Sequence, residues 1–445
     1  MSFTKLPAEL QIDIFGYLSN KDLKCVRSVS ICCRDNASVW LFRSIVACAR
    51  YQAMGVFQKI SLHPIYQQYV KEIVFDATEY DKILAENEKE YHRLADRRKD
   101  LKNVVSWHRH TRFKKYQLLY KEQEEIKQGV LLQTIAKALE WMPHVHSIVY
   151  CALPRHIPAE MKDIQEILPR DVRSDFLPRR RMTVQGATSE GLENGFHHLI
   201  GAIAMARYNR IHEFRVERYP STTWLLPTYL FGFEHFLFSH PTYLEAGKEF
   251  FHNLTAVDLA FTYYRGPTTP ESLANMRTLL SHIKDLRRIC VHMPPSVTRS
   301  SVQNSTAGMV DPYSFATFGL TTKWDNLQCV DLQGIYASEQ QLKDLVARSK
   351  HVLESMKFSF CVLTTGKWSN LVEEIVYGTG IKEFVLDHVN EWYVGDVLFE
   401  DLPGLDPMPW SYEGQLELDE KGERYFHERN GKTVYAWRSL LSELD

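Results

Sequence analysis

The chain lacks any run of 18 apolar residues, and its longest uncharged stretch, Tyr219 to Phe233, is broken by Pro220, Ser221, Thr222, Thr223 and Pro227. A helix crossing a membrane is therefore not expected. The opening MSFTKLPAEL has no apolar signal core, so the predicted location is the cytoplasm and/or the nucleus. Cys25, Cys32, Cys33, Cys48, Cys151, Cys290, Cys329 and Cys361 include no C-x-x-C pair, which argues against a zinc or thioredoxin-type site and for free, mostly buried thiols. A net charge of −2 gives no global reason to expect nucleic acid or an anionic membrane as partner. Phosphate-loop, dinucleotide, zinc-protease and nucleophile-elbow motifs are all missing. His108/His110, His144/His146 and His197/His198 are close pairs, but a metal site needs three or four convergent ligands. No catalytic residue, cofactor or metal is expected, and the chain reads as a non-enzyme.

Residues 4–45 are what the chain does have. Leu10, Ile14 and Leu18 recur every four residues after Pro7, a residue at home in a first helical turn. Ser19 and Asp22 are spaced to cap a second helix from about Leu23, with Leu23, Val26 and Val29 on one side. Val39, Trp40, Phe42, Ile45 and Val46 form a third apolar cluster. Three short helices in so few residues bury little by themselves and lean on a partner.

Leu6, Pro7, Glu9, Leu10, Ile14, Leu18, Asp22, Leu23, Arg27, Val29, Ser30 and Arg34 together resemble the F-box of fungal-type F-box proteins. Two departures stand out: Cys33 occupies a position where the family often has Trp, and the terminal Leu-Trp pair is reversed as Trp40-Leu41. The resemblance implies docking onto the Skp adaptor, and through it onto the cullin of a ubiquitin ligase. It also implies capture of a protein substrate by the rest of the chain. Leu6, Pro7, Leu10, Ile14, Leu18, Leu23, Val26 and Val29 are the candidates for docking or for shaping the docking surface, some of them holding the helices together.

Residues 78–128 are strongly charged, and Trp107 and Phe113 are interleaved there with Arg109, Arg112, Lys114 and Lys115. Basic residues beside aromatics can follow a nucleic-acid backbone and stack on bases, so segment 93–115 carries that alternative. A solvated helical insertion is the plainer reading.

An apolar rhythm then recurs at Val70-Ile73-Phe75, Val145-Ile148-Tyr150, Ile211-Phe214-Val216 and Leu254-Val257-Leu259. It continues at Leu286-Ile289-Val291, Leu327-Val330-Leu332, Leu353-Met356-Phe358 and Ile381-Phe384-Leu386. Helical stretches handing over to short strands make an α/β fold, and the units resemble degenerate leucine-rich repeats. Only the last two intervals, 26 and 28 residues, are regular; insertions at 78–128, 169–195 and 293–325 account for the others. The expected organisation is a three-helix F-box over 1–50 and a repeat-like α/β solenoid over 51–400. A linker and a C-terminal β-hairpin occupy 401–445, with Asn430-Gly431 as the turn. Trp410, Tyr425, Phe426 and Trp437 faintly resemble a WW domain, against which a terminal cap is preferred.

Alternation along stacked strands would send variable residues to one shared face. That face would hold Glu72, Val74, Asp76, Glu213, Arg215, Glu217, Asp258, Arg288, Cys290, His292, Asp331, Gln333, Lys357, Glu383 and Asp387. Arg215, Asp258, Arg288, His292, Asp331 and Lys357, with Tyr263, Tyr264 and Arg265 from one loop, are the substrate-binding candidates. Mixed charge suits a specific protein partner. A repeat scaffold without ligase activity is the remaining alternative.

Overall fold

The computed structural model describes residues 6–96, 106–151, 194–218, 231–261, 269–293, 314–378, 380–391, 412–418 and 424–428. The chain divides into two compact units, residues 1–253 with 264–267 and residues 254–263 with 268–445.

The first unit begins with α1 (Ala8–Phe15), α2 (Asn20–Val26) and α3 (Ile31–Leu41). Ser19 accepts a hydrogen bond from the Asp22 N–H and Ser30 accepts one from the Cys33 N–H, so α2 and α3 each start on a serine cap. Phe15, Leu23, Cys33 and Ala37 form the small core, flanked by Leu18, Val26, Trp40 and Leu41. The Trp40 indole donates to the Ile12 carbonyl at 2.7 Å, and a Cβ on Gly16 would come within 2.8 Å of the same ring. Only glycine lets the end of α1 approach the indole this closely.

The third apolar cluster is not one helix. Val39 and Trp40 end α3, whereas Ile45 and Val46 lie in strand β1 (Ser44–Cys48), which pairs in parallel with β2 (Glu72–Asp76). Adjacent β-branched residues favour a strand, and only Phe42 and Arg43 separate helix from sheet. After β1 come α4 (Tyr51–Ser61) and β2, then α5 (Lys82–Glu86), α6 (Glu88–Asp96) and α7 (Ser106–Glu125) within the charged segment. The first unit continues through α8 (Leu131–Trp141), β3 (Ser147–Cys151), α9 (Gly195–Met205), β4 (Glu213–Val216) and α10 (Pro241–His252). Strands β1 to β4 are parallel and in sequence order.

In the second unit, β5 (Ala256–Ala260), α11 (Pro270–Ser281), β6 (Arg288–His292) and β7 (Cys329–Gln333) are followed by β8 (Tyr336–Ser338) and α12 (Glu339–Ser349). Then come β9 (Ser355–Ser359), β10 (Val362–Thr365), α13 (Trp368–Gly378), β11 (Glu383–Glu391), β12 (Tyr412–Leu418) and β13 (Arg424–Glu428). Strands β5, β6, β7, β9 and β11 are parallel neighbours. Among the described residues each unit is thus mixed α/β with a mostly parallel sheet. All eight rhythmic segments contain strands, and in the second unit their apolar positions, such as Val257, Ile289, Val330, Met356 and Phe384, are buried.

Two expectations about loops change. Residues 294–313 and the 169–193 part of the earlier insertion lie outside the described residues, but the end of the supposed 293–325 loop is packed: Phe315, Phe318, Leu320 and Trp324 are buried. Four large apolar side chains repay their ordering by leaving water, which a Ser/Thr-rich composition around them conceals. Strand β13 pairs antiparallel with the upstream β12, Leu416 opposite Phe426. Asn430-Gly431 is therefore not the turn between these two strands; that dipeptide, Trp410 and Trp437 lie outside the described residues.

Candidate docking surfaces

The three N-terminal helices divide their apolar residues sharply. Leu23 is 2% exposed and belongs to the core, so it is one of the candidates that hold the helices together. Leu18 and Val26 pack half-buried around it. Leu6 is half-buried and Pro7 exposed. Leu10 (49%), Ile14 (43%) and Val29 (71%) remain open to solvent, and so do Tyr17 and Ile31, which the pattern of spacing missed. Tyr17 falls just past the end of α1 and Ile31 opens α3, so neither repeats with the stripe that marked the others.

These helices are seated by specific contacts. The Arg27 guanidinium lies 5.0 Å from the Phe42 ring and 5.7 Å from the Tyr66 ring and donates to the Tyr66 hydroxyl at 3.2 Å. Phe42 stacks on Tyr66 at 4.2 Å, and Tyr66 on His63 at 3.8 Å. Gln11 is buried in α1: its amide donates to the Leu6 carbonyl at 2.8 Å and its oxygen accepts from Asn36 at 3.2 Å.

Of the residues expected on a shared strand face, the second unit assembles most. Asp258, Cys290, Asp331, Lys357 and Val385 stand side by side across five strands, with Ala256, Arg288, Cys329, Ser355 and Glu383 in a flanking row. Ala260, His292, Gln333, Ser359 and Asp387 form the row on the other flank. His292 bridges two neighbours, with Nε2 3.2 Å from the Asp331 carboxylate and Nδ1 2.8 Å from the Gln333 side-chain oxygen. Ser355 donates to Glu383 at 2.7 Å, and burial raises the nearby Cys329 thiol. Arg288 and Lys357 are exposed, whereas Cys290 is buried.

Arg215 belongs to the first unit, where it pairs with Glu72 at 3.2 Å. Tyr263, Tyr264 and Arg265 lie outside the described residues. Val74 and Asp76, expected on the open face, are buried: Val74 packs with Val149, Cys151 and Val46, and Asp76 accepts from the Thr78 N–H at 2.9 Å. An alternating pattern identifies which side of a strand faces away from the helices, but not whether other chain covers it.

The charged segment has a core of its own. Phe113 is 4% exposed and lies 5.5 Å from Tyr91, beside Tyr116. It is not a platform for a base. His110 at 2.7 Å and His92 at 3.2 Å both meet Glu88, and the His110 hydrogen bond foremost holds the Glu88 carboxyl below its ordinary value. Arg50 reaches Glu122 at 3.4 Å, joining α7 to the start of α4. Side chains at Trp107 and Arg109 lie outside the described residues.

Among the described residues no group of three or more His, Cys, Asp or Glu is arranged to hold a metal ion, and no helix is long and apolar enough to cross a membrane. His197 is buried in α9, its Nε2 3.2 Å from the His235 carbonyl and its ring stacked on Tyr243. Cys25 and Cys32 are exposed, while Cys33, Cys48, Cys151, Cys290 and Cys361 are buried; burial pushes the Cys361 thiol up to about 12. No family model matches this chain, and no curated protein matches it.

Proposed function

We propose that this chain is the substrate-recognition subunit of a Skp–cullin–F-box ubiquitin ligase. The N-terminal helices would bind the Skp adaptor, and the strand face of the second unit would bind a protein substrate. One observation carries the adaptor half: a capped three-helix unit leaves Leu10, Ile14 and Val29 in water although its core is already filled by Phe15, Leu23, Cys33 and Ala37. Apolar side chains grouped on so small a unit are what a partner would cover. The chain would do no chemistry itself; it would hold the substrate near a ubiquitin-loaded enzyme, in the cytoplasm or nucleus.

The repeat half of the proposal is supported by the segment Leu353-x-x-Met356-x-Phe358-x-x-Cys361-x-Leu363, which fits the full leucine-rich pattern. Cys361 donates to the Leu332 carbonyl at 3.3 Å, tying this segment to the preceding one. Strand β10 follows β9 there just as β8 follows β7, and β8 pairs with β10 in parallel. Burial of Phe113 and the pairing of His110 with Glu88 weigh against the nucleic-acid alternative.

The test is capture of the adaptor by the full chain and by a Leu10→Asp, Ile14→Asp double variant. Both positions are more than two-fifths exposed, so the variant should stay folded while binding falls by at least about 30-fold, taking roughly 2 kcal/mol for a lost anchor. No capture by the wild-type chain would leave a repeat scaffold without ligase activity.

A further inference from the structure

In the second unit the residue that follows each face strand makes the same contact with the next strand. The N–H of Phe261 donates to His292, that of Met293 to Gln333, that of Gly334 to Ser359 and that of Phe360 to Asp387, at 2.8–2.9 Å in every case. Gly334, Phe360 and, within β11 just past its last pair with β9, His388 have a positive φ of 68°, 52° and 51°. Glycine is required at the first, since a Cβ there would stand 2.7 Å from the Met293 carbonyl oxygen. At the next two places the chain holds a phenylalanine and a histidine in the left-handed region. A bulky ring adopts that region only when its surroundings impose it, and such strain gathers at binding sites.

The two rings lie face to face, with centroids 5.0 Å apart and planes 15° from parallel. Asp387 adjoins them, its carboxylate 2.8 Å from the His388 Nδ1. The Asp387 and His388 side chains are 40% and 50% exposed, and Phe360 is half-buried. On the other side of Phe360 in the row is Gly334, which contributes no side chain. Ring faces next to a partly exposed carboxylate match one side chain best: a guanidinium stacks flat on an aromatic face and bonds a carboxylate through its edge. Lysine offers only a point charge, and a neutral aromatic would leave the carboxylate unused.

We propose that Phe360, His388 and Asp387 form a subsite that receives an arginine side chain from the substrate. The subsite rests on the reading of this strand face as substrate-binding and adds the chemical class of the segment it selects. The strain at Phe360 is then retained because the ring serves recognition.

The experiment measures binding of a fluorescent twelve-residue Gly/Ser peptide carrying two arginines to the full chain by anisotropy. Matching peptides carry citrulline or lysine instead. The arginine peptide should bind about tenfold more tightly than either, and Asp387→Asn should erase most of that difference. Phe360→Gly separates recognition from packing: it removes the ring and relieves the positive φ, so binding should fall several-fold with the melting temperature unchanged or higher. Three results would overturn the subsite: no arginine binding, equal binding of lysine, or a Phe360→Gly variant that melts earlier and binds normally. Adaptor capture on the same preparation separates the failures, because capture without arginine binding sinks the subsite and leaves the ligase reading standing. Arginine binding without capture does the reverse.

Discussion

Replacing Arg27 tests how firmly the N-terminal helices are seated. Its guanidinium covers Phe42 and Tyr66, which lie at the junction after α3 and beyond α4, and donates to the Tyr66 hydroxyl. Each ring contact contributes about 0.5–1 kcal/mol at a partly exposed site, and the hydrogen bond about 1 kcal/mol. Against this, the Arg27 Nε is buried without a hydrogen-bond partner, a cost of about 1 kcal/mol that a truncation relieves. The net loss for Arg27→Ala is therefore about 1–2 kcal/mol. Confined to local opening of α1–α3, this corresponds to roughly 5- to 30-fold faster amide exchange over residues 8–41. Hydrogen exchange read by mass spectrometry resolves such a change, with the β1–β4 strands as internal reference. Arg27→Met keeps the apolar stem and removes the unpartnered nitrogen, so it should show a smaller effect. Unchanged protection in the alanine variant, or an equal loss over β1–β4, would refute the account of Arg27 as the seat of the helices.

Two further substitutions probe other parts of the fold. Phe113→Ala empties a buried aromatic site shared with Tyr91 and Tyr116 and should cost about 3–5 kcal/mol; limited proteolysis should then cut within residues 82–125 while the strands stay protected. At Glu339, burial by itself would raise the carboxyl, but Lys343 at 2.9 Å, the Lys367 N–H at 2.8 Å and Asn370 hold it below its ordinary value. A lowered folded value means the contribution is complete above the unfolded value of about 4.3 and is lost as pH falls through the folded one. The α12–α13 pair should therefore loosen in acid below about pH 4, and Glu339→Gln should make its protection, measured relative to intrinsic exchange at each pH, nearly independent of pH in that range.

Local physics was legible along the chain. The eight strands of the apolar rhythm, from the one with Ile73 to the one with Phe384, announced themselves because a buried strand needs apolar residues at alternate positions whatever surrounds it. Ser19 was readable as a cap for the same reason: an unsatisfied helix N-terminus wants a nearby side-chain acceptor. The short strands β8 and β10 escaped because three or four residues carry too little period to count. Strand β1 escaped because Ile45 and Val46 follow a helix so closely that their apolar run merged with it.

Contacts between segments distant in sequence could be decided only by the fold. Leu10 and Leu23 are equally apolar and equally well spaced, yet one is open to water and the other is core, because α3 lies over only one of them. Phe113 reads as an aromatic among basic residues until Tyr91, 22 positions earlier, is seen to pack against it. Val74 and Asp331 hold the same variable position of the rhythm, one buried and one half-buried, but an alternating pattern records only that a strand has two sides. The sequence by itself determined which residues must leave water and with what period; which neighbour covers them, and hence which face stays open for a partner, was decided by tertiary structure, because burial is a relation between segments rather than a property of one.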